Sequence, residues 1–432
     1  MDVNIAGIQE ADLTGKIVLV RVDHNVLKNG EIRDPDRINR TIGTLYNIVE
    51  QGGRLILMTH VGRPRDAETK TIVKRQQESV KDIVKYIQNR LYTNFVIPEM
   101  EAEAGIDNIY SSINLLIKDL KKHRIGGIYL PNIRWFKGEE DATKSTAFCK
   151  QLAGLADVYV NDAFASWQNH SSTYGITKYL PSYAGHLMQH EIENTKKILT
   201  PKKPFVAVIG GFKFSTKLKS LASILKNVDY LILGGHIYNI YLAAKYGFKI
   251  AGVDENQIEV AKGFIDNVGE NQKKIIEIPY LLEVEDFYSK PETKEIDIRE
   301  LKKGDKIGYI YDVSPNFVRL QEIRDVILSA KTIFVNAVMG LSPYYLKGSM
   351  ALYTLVDQNK DALKLYGGGD TNQEFKLNLP SVFRRAFDDD KYYFFTGGGT
   401  LLKVLETGSI LGLKPVKALE ESKKRIDKGE FR

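Results

Sequence analysis

The chain of 432 residues has a single cysteine, Cys149, so it cannot close an internal disulfide, which fits a reducing cytoplasm. No apolar run approaches the roughly 18–20 residues that span a membrane. The opening stretch MDVNIAGIQEADLTGK carries acids and no apolar core, so it does not read as a signal peptide. A G-x-x-x-x-G-K-[ST] loop, zinc-finger spacing and aromatic RNA-binding signatures are all missing. The formal charge is +7, but the basic residues are scattered among acids, and the densest runs, Lys121-Lys122-His123-Arg124 and Lys423-Lys424-Arg425, are short. These absences argue against a nucleic-acid or membrane partner. They leave small anions as the better account of the positive field. With 43% hydrophobic and 27% charged residues, the composition is that of a soluble globular protein, and the length suits two domains.

What the chain does have is a recurring unit: an apolar strand, a glycine or polar corner, then an amphipathic helix. In the first half the strands read KIVLVRV (16–22), RLILMT (54–59), GIYL (127–130) and DVYV (157–160). The helix after the first begins near Asp36, with Ile38, Ile42, Leu45, Ile48 and Val49 on one face. The second half repeats the theme in PFVAVIGG, YLILGG, TIFVNAVMG, LKLYGGGD and YYFFTGGG. Alternating strands and helices predict an α/β fold of two doubly wound, Rossmann-like lobes with parallel sheets. The expected division is residues 1–186 and 187–410, with a hinge helix within 182–199 and a tail, 411–432, rich in Lys and Glu. Ligands of such sheets sit at the carboxyl ends of the strands.

The corners of the second half are glycine-rich. Gly397-Gly398-Gly399 precedes a helix, where N–H groups and the helix dipole favour phosphate. Gly367-Gly368-Gly369-Asp370-Thr371 repeats the device and adds a carboxylate suited to Mg²⁺ held against phosphates. Each corner taken alone is also compatible with a tight turn capped by its Asp. In Gly210-Gly211-Phe212-Lys213-Phe214-Ser215-Thr216-Lys217, a helix starting near Ser215 would put Lys217 in its first turn. A cation is disfavoured there unless an anion is bound, although a solvated basic helix end is the alternative.

The corners of the first half are cationic. Asp23 and Asn25 end the first strand, Arg37 opens the next helix, His60 and Arg63 follow the second strand, and Arg134 follows the third. Arginine forks match phosphate and carboxylate. One lobe built for a small anion and one built for a nucleotide suit phosphoryl transfer, whose catalysis is mostly positioning and charge neutralisation.

RVDHNV, MTHVGRP, NIRWFKGEE, DVYVNDAF, YLPSYAGHLMQHEI, PFVAVIGGFKFSTK, YLILGG, VNAVMG, YGGGDT and FTGGG resemble, in order and spacing, the motifs of phosphoglycerate kinase, from about residue 5 to about residue 419. The resemblance implies transfer of a phosphoryl group from 1,3-bisphosphoglycerate to Mg-ADP, giving 3-phosphoglycerate and ATP, by a cytoplasmic monomer. A divergent nucleotide-binding protein of altered specificity is the alternative. By motif, Asp23, Asn25, Arg37, His60, Arg63 and Arg134 fall at the 3-phosphoglycerate site. Arg37, Lys213 and Gly398 fall at catalytic positions, with Arg37 and Lys213 neutralising the phosphoryl group in flight. Gly211, Lys213, Lys217, Gly235, Asn336, Gly369, Asp370, Thr371 and Gly397–Gly399 fall at nucleotide positions, and Asp370 is the expected Mg²⁺ ligand.

The chain also departs from the pattern. His24, Val26 and Leu27 interrupt the usual D-F-N-x-P. Pro131 stands for a Glu, Thr216 for an Asp, Ala337-Val338 for Gly-Pro, and Pro343 stands near a Glu that reaches the ribose. The stretch VYVNDAFASWQNHSS (158–172) ends its apolar run at Asn161-Asp162. Its loop is one residue short and has no arginine where the family places one on the substrate phosphate. Gln168, Asn169 or His170 would then supply neutral hydrogen bonds there, or the other arginines would suffice, and 3-phosphoglycerate is expected to bind less tightly.

Overall fold

The computed structural model describes residues 3–66, 68–99, 113–140, 145–212, 214–285 and 292–431. Two compact units emerge, Met1–Glu193 with Ser409–Arg432, and Asn194–Gly408.

In the first unit, β1 (Ile17–Val22), β2 (Arg54–Met58), β3 (Phe95–Val96), β4 (Gly127–Tyr129), β5 (Val158–Asp162) and β6 (Ser182–Ala184) form one parallel sheet. Their order is β3-β4-β2-β1-β5-β6. Strand β1 is buried throughout, and its side chains alternate between two cores. Val18, Val20 and Val22 pack with Ile38, Leu45 and Ile48 of the helix Asp36–Glu50. Ile17 and Leu19 pack on the other side with Phe148 and Leu152 of the helix Ser145–Ala153. A near-continuous apolar run is what a strand covered on both faces requires. On the helix Asp36–Glu50, Val49 points to solvent rather than inward, and Thr41 and Thr44 are buried instead. Thr41 bonds the carbonyl of Ile38 and the ring of His24, and Thr44 accepts the amide of His186, so these hydroxyls enter the core already satisfied.

In the second unit, β7 (Phe205–Gly210), β8 (Tyr230–Gly234), β9 (Ile275–Ile276), β10 (Thr332–Asn336), β11 (Leu363–Gly367) and β12 (Tyr392–Phe395) make a second parallel sheet. The order is β9-β8-β7-β10-β11-β12. A three-stranded antiparallel sheet of Lys294–Asp297, Tyr280–Val284 and Tyr309–Val313 is added, outside the repeating pattern.

Both sheets reverse direction at their centres, between β1 and β5 in the first and between β7 and β10 in the second. The connections leaving those strands diverge to opposite sides, which opens a crevice at the carboxyl ends. The corners that matter are therefore those after Val22 and Asp162, and those after Gly210 and Asn336.

Two details differ from the sequence reading. Strand β5 does not stop at Val160 but continues through Asn161 and Asp162, both fully buried. Asn161 Oδ1 accepts the amide of Ala163, and Asp162 Oδ1 accepts that of Met188, so both side chains are engaged within the first unit. Residues 182–199 are a strand, Ser182–Ala184, followed by a helix, His186–Leu199, with Leu187, Ile192 and Ile198 buried. The division between units falls inside that helix. The helix Lys414–Asp427 buries Val416 and Leu419, and Ser422 Oγ accepts the amide of Ser182 in the first unit. Among the described residues no helix is long and apolar enough to cross a membrane.

Candidate active site

In the first crevice Asp23 is the hub. Its Oδ1 lies 3.3 Å from Arg37 Nη1 and accepts the amide of Asn25, and its Oδ2 accepts from Ser166 Oγ at 3.1 Å. Burial pushes the Asp23 carboxyl up, but the Arg37 and Arg21 guanidiniums outweigh it and hold it well below the usual carboxylate range. Asp23 is thus an anion that anchors cations. Asn25 Oδ1 accepts the amide of Gly62, and Arg134 Nη1 donates to the Gly62 carbonyl at 2.7 Å. Arg134 Nε is 2.9 Å from Glu140 Oε1. These contacts pin the corner that carries His60 and Arg63. Arg63 is exposed beside that corner, while Arg37 and Arg134 are partly buried.

His60 is buried, and burial pulls its ring well below the ordinary histidine value, with Asp23 opposing. Its Nδ1 lies 3.1 Å from Arg21 Nη2, a group that can only donate. The ring is therefore neutral, accepts at Nδ1, and carries its proton on Nε2 as a hydrogen-bond donor.

Two residues essential to this geometry escaped the sequence reading. Arg21 sits within β1 and is buried, yet its Nε donates to Ser172 Oγ and its Nη2 reaches His60 and Ser166. Its alternation with Val20 and Val22 was the only available signal. Asn132 is fully buried and uses both ends of its amide. Nδ2 donates to the carbonyls of Val61 and Glu78, and Oδ1 accepts from the amides of Val61 and Arg134.

The loop after β5 supplies Ser166 to this hub but no cation of the arginine type. Gln168 and Asn169 are exposed. His170 is placed 3.8 Å from both Glu139 Oε1 and Glu140 Oε1. Burial still draws its ring below the ordinary value despite those two carboxylates. Glu139, itself buried, is fixed by Ser172 through the amide at 3.0 Å and the hydroxyl at 2.6 Å.

The second crevice is made mainly of backbone. Lys217 falls in the first turn of the helix Phe214–Asn227, and its Nζ donates to the carbonyl of Gly210 and, at 3.3 Å, to Asn336 Oδ1. Asn336 Nδ2 in turn donates to the carbonyl of Gly367. One ammonium and one amide therefore tie the ends of β7, β10 and β11 across the switch point. Burial pulls Lys217 down to about 8, while Asp370 opposes the shift. Lys213 lies outside the described residues.

Three helices open at this edge, Gly235–Tyr246, Gly369–Asn378 and Gly398–Thr407, and none has a side-chain cap at its first turn. In the first of these the amides of Gly235 and Ile237 already donate to the carbonyls of Met339 and Gly211, so the helices opening at Gly369 and Gly398 offer the freer N–H groups to a ligand. Asp370 is not the cap: the cap position is Gly368, and Asp370 stands exposed in the first turn with buried Thr371 next to it. Gly211 and Gly369 flank the same edge, where a Cβ on Gly369 would meet nothing. Glycine is needed at two positions in particular. Gly235 has φ +61° and faces the Gly211 amide, and a Cβ on Gly398 would come 2.5 Å from Asn336 Nδ2 and 2.7 Å from Gly368 Cα. Gly397, Gly398 and Gly399 thus bring the β12 corner onto the β11 corner.

No cluster of three or more His, Cys, Asp or Glu side chains converges among the described residues. A divalent ion here needs phosphate oxygens besides Asp370. One exposed carboxylate beside uncapped N–H groups fits Mg²⁺, which takes one or two carboxylates together with substrate oxygens and water.

A doubly wound lobe ending in arginines and a second ending in uncapped, glycine-led helices define a two-lobed phosphotransferase of the kinase class. Comparison with known proteins gives the family. Residues 8–408 match the family model for phosphoglycerate kinase. The chain is 32% identical over 422 residues to the phosphoglycerate kinase of Dictyoglomus turgidum, covering 95% of this chain and 97% of that one. It is 32% identical over 429 residues to that of the Wolbachia of Brugia malayi, covering 96% and 99%. The solved structure of the Coxiella burnetii phosphoglycerate kinase superposes with a TM-score of 0.73 at 27% identity, over 97% of this chain and 99% of that chain. That from Pyrococcus horikoshii, at 22% identity and a TM-score of 0.74 over 98% of this chain and all of that chain, shows the shared fold. The chain belongs to the phosphoglycerate kinase family and transfers a phosphoryl group reversibly between 1,3-bisphosphoglycerate and ADP.

Proposed function

We propose that the first crevice holds the phosphoglycerate and the second holds the Mg-nucleotide, with the groups divided as follows. Arg37, Arg63 and Arg134 supply cationic forks, His60 donates from Nε2, and Asp23 and Asn25 hold those groups in place. Lys217, Asn336 and the N–H groups after Gly211, Gly235, Gly368 and Gly397 receive the nucleotide phosphates. Asp370, with Thr371 beside it, holds Mg²⁺, which neutralises phosphate charge when bound.

The reaction asks little else. The acyl O–P bond breaks as a bond forms from a β-phosphate oxygen of ADP, and a carboxylate leaves. The attacking oxygen is already anionic and the leaving group already stable, so no proton need move. A neutral His60 with its proton fixed on Nε2 suits a donor and not a base. Catalysis is left to positioning and to cations at the moving charge, the roles of Arg37 and, by motif, of Lys213 and Gly398. The observation that carries this reading is topological. Both switch points, found without reference to any ligand, are lined by the residues that the motifs single out. Action as a cytoplasmic monomer follows from the family resemblance and is part of the proposal.

A coupled assay supplying 3-phosphoglycerate, ATP and Mg²⁺ tests it. Turnover that depends on all three is expected. Nucleotide binding without transfer would return the chain to the class of altered specificity.

A further inference from the structure

Glu374 is an anomaly in the second unit. It lies on the helix Gly369–Asn378, one turn after Asp370, and is only 4% exposed. Both of its carboxylate oxygens are shielded from solvent, and neither has a hydrogen-bond partner among the described residues. Burial pushes its carboxyl up, the charge of Asp370 adds to the rise, and no basic side chain opposes them. A buried carboxylate without a partner is costly, and folded proteins resolve that cost with a proton, a water or an ion.

The surroundings favour the ion. The polar groups that support the charged form of Glu374 are the hydroxyls of Ser349 and Ser342. Ser349 is the third residue of the helix Lys347–Gln358, and its oxygen accepts the amide of Met339 at 2.9 Å. Ser342 lies in the segment that joins β10 to that helix. Asp312, on the strand Tyr309–Val313, is a second buried carboxylate, and the charge of Glu374 helps to push it up. It is served differently: its Oδ1 accepts the amide of Val313 at 2.9 Å and its Oδ2 that of Gly348 at 3.0 Å. Tyr353, the phenol that feels both acids, gives its hydroxyl to the Ala337 carbonyl. The donors left over are therefore oxygens alone, with one carboxylate unspent.

We propose that Glu374, with the hydroxyls of Ser342 and Ser349, binds an alkali-metal cation, and that this ion ties the helix Gly369–Asn378 to the segment after β10. The class of ion follows from the donors. One unspent carboxylate balances one positive charge. Mg²⁺ keeps several waters and demands a near-octahedral shell, whereas potassium gives up its hydration to protein oxygens in a dry place. The effect on the reaction rests on the phosphate placement given under the proposed function. The helix Gly369–Asn378 begins at one nucleotide corner, and Asn336 ends the strand from which the tied segment leaves. An ion that fixes one against the other improves the corner without touching the substrate.

The test compares potassium chloride with tetramethylammonium chloride at equal ionic strength on the whole chain, for the unaltered protein and Glu374→Gln. Without nucleotide, potassium is expected to raise the melting temperature of the unaltered protein by about 3 °C and to leave that of Glu374→Gln unmoved. With substrates it should lower the KM for ADP about five-fold and leave the KM for 3-phosphoglycerate unchanged. Thallium(I) magnetic resonance needs no variant: one ion per chain should bind in nitrate buffer and be displaced by potassium. Equal melting in the two salts with no thallium bound overturns the site, as does a potassium response that survives in Glu374→Gln. Displacement of thallium by calcium but not by potassium overturns the choice of ion. Potassium-dependent melting in a chain that binds no ADP overturns the nucleotide reading and leaves the cation site standing.

Discussion

The two crevices offer positive charge and hydrogen-bond donors from different atoms. In the first unit the cations are side chains, and three of them are fixed by acceptors of their own: Arg37 by Asp23, Arg134 by Glu140 and the Gly62 carbonyl, Arg21 by the Ser172 hydroxyl and the Val22 carbonyl. In the second unit one buried ammonium, Lys217, is combined with helix N-termini exposed by glycine corners. The first is a preorganised array of charges, and its weak point is the loss of a charge. The second is a close-packed backbone, and its weak point is the gain of an atom. Partner carboxylates lower the net field of the first crevice but fix its geometry, which matters more when the ligand must be placed for in-line transfer.

The strongest way to break this contrast is to remove a cation proposed to neutralise the phosphoryl group in flight. Arg37→Ala is expected to lower kcat by about a thousand-fold with the fold intact by circular dichroism. Lys213→Ala, at the corresponding cationic position of the other unit, should act similarly. An unchanged rate in either variant removes that residue from the transfer step. Next in size is the smallest possible addition. Gly398→Ala puts a methyl group where Asn336 and Gly368 already stand, so the β11 and β12 corners must part by a few tenths of an ångström or more. A displacement of that order at the phosphates is expected to cost up to about a hundred-fold in kcat/KM for ADP, with the KM for 3-phosphoglycerate unaffected. Equal damage to both substrates would show that the two crevices are not independent.

A milder probe is pH. Lys217 is held near 8 in the free protein because burial disfavours its charged form. It contributes to phosphate binding only when protonated, so ADP affinity should fall as pH rises above about 8, by at most ten-fold per unit. Among the described residues the cations of the first crevice are arginines, and His60 is already neutral well below pH 7. Kd for 3-phosphoglycerate should therefore stay flat from pH 7 to 9 while Kd for ADP climbs. Parallel profiles would overturn the assignment of Lys217 to the nucleotide alone. For stability the sign is reversed: between about 8 and the ordinary lysine value the unfolded chain binds the extra proton, so stability from this group rises with pH.

What was legible in advance follows the range of the interactions. Strands, corners and the helix at Asp36 are set by local periodicity and glycine, and they stood in the sequence. Arg21 did not, because its partners are Ser172, His60 and Ser166, between 39 and 151 residues away. Read locally, an arginine between two valines is an interruption in a strand. Asp162 misled for the same reason, since it looks like the end of a strand until the amide of Met188, 26 residues on, is found on it. Polar or aromatic residues whose satisfaction is non-local are the ones that a linear reading misplaces.

The smallest expected effect tests what the first crevice does without its loop arginine. Ser166 reaches Asp23, and His170 is held beside Glu139 and Glu140, so neither is a ready cation. Asn169 is exposed on the same loop, where a longer side chain meets no packing cost. If the phosphate of 3-phosphoglycerate is held there by neutral hydrogen bonds, Asn169→Arg exchanges one of them for a charge-assisted bond worth about 1 kcal/mol more. That corresponds to roughly five-fold tighter binding, with kcat unchanged because the substrate phosphate does not react. The gain should shrink at high salt, as an exposed charge requires. No tightening at low salt would mean that Arg37, Arg63 and Arg134 already saturate the phosphate, and that the short loop costs the first crevice nothing.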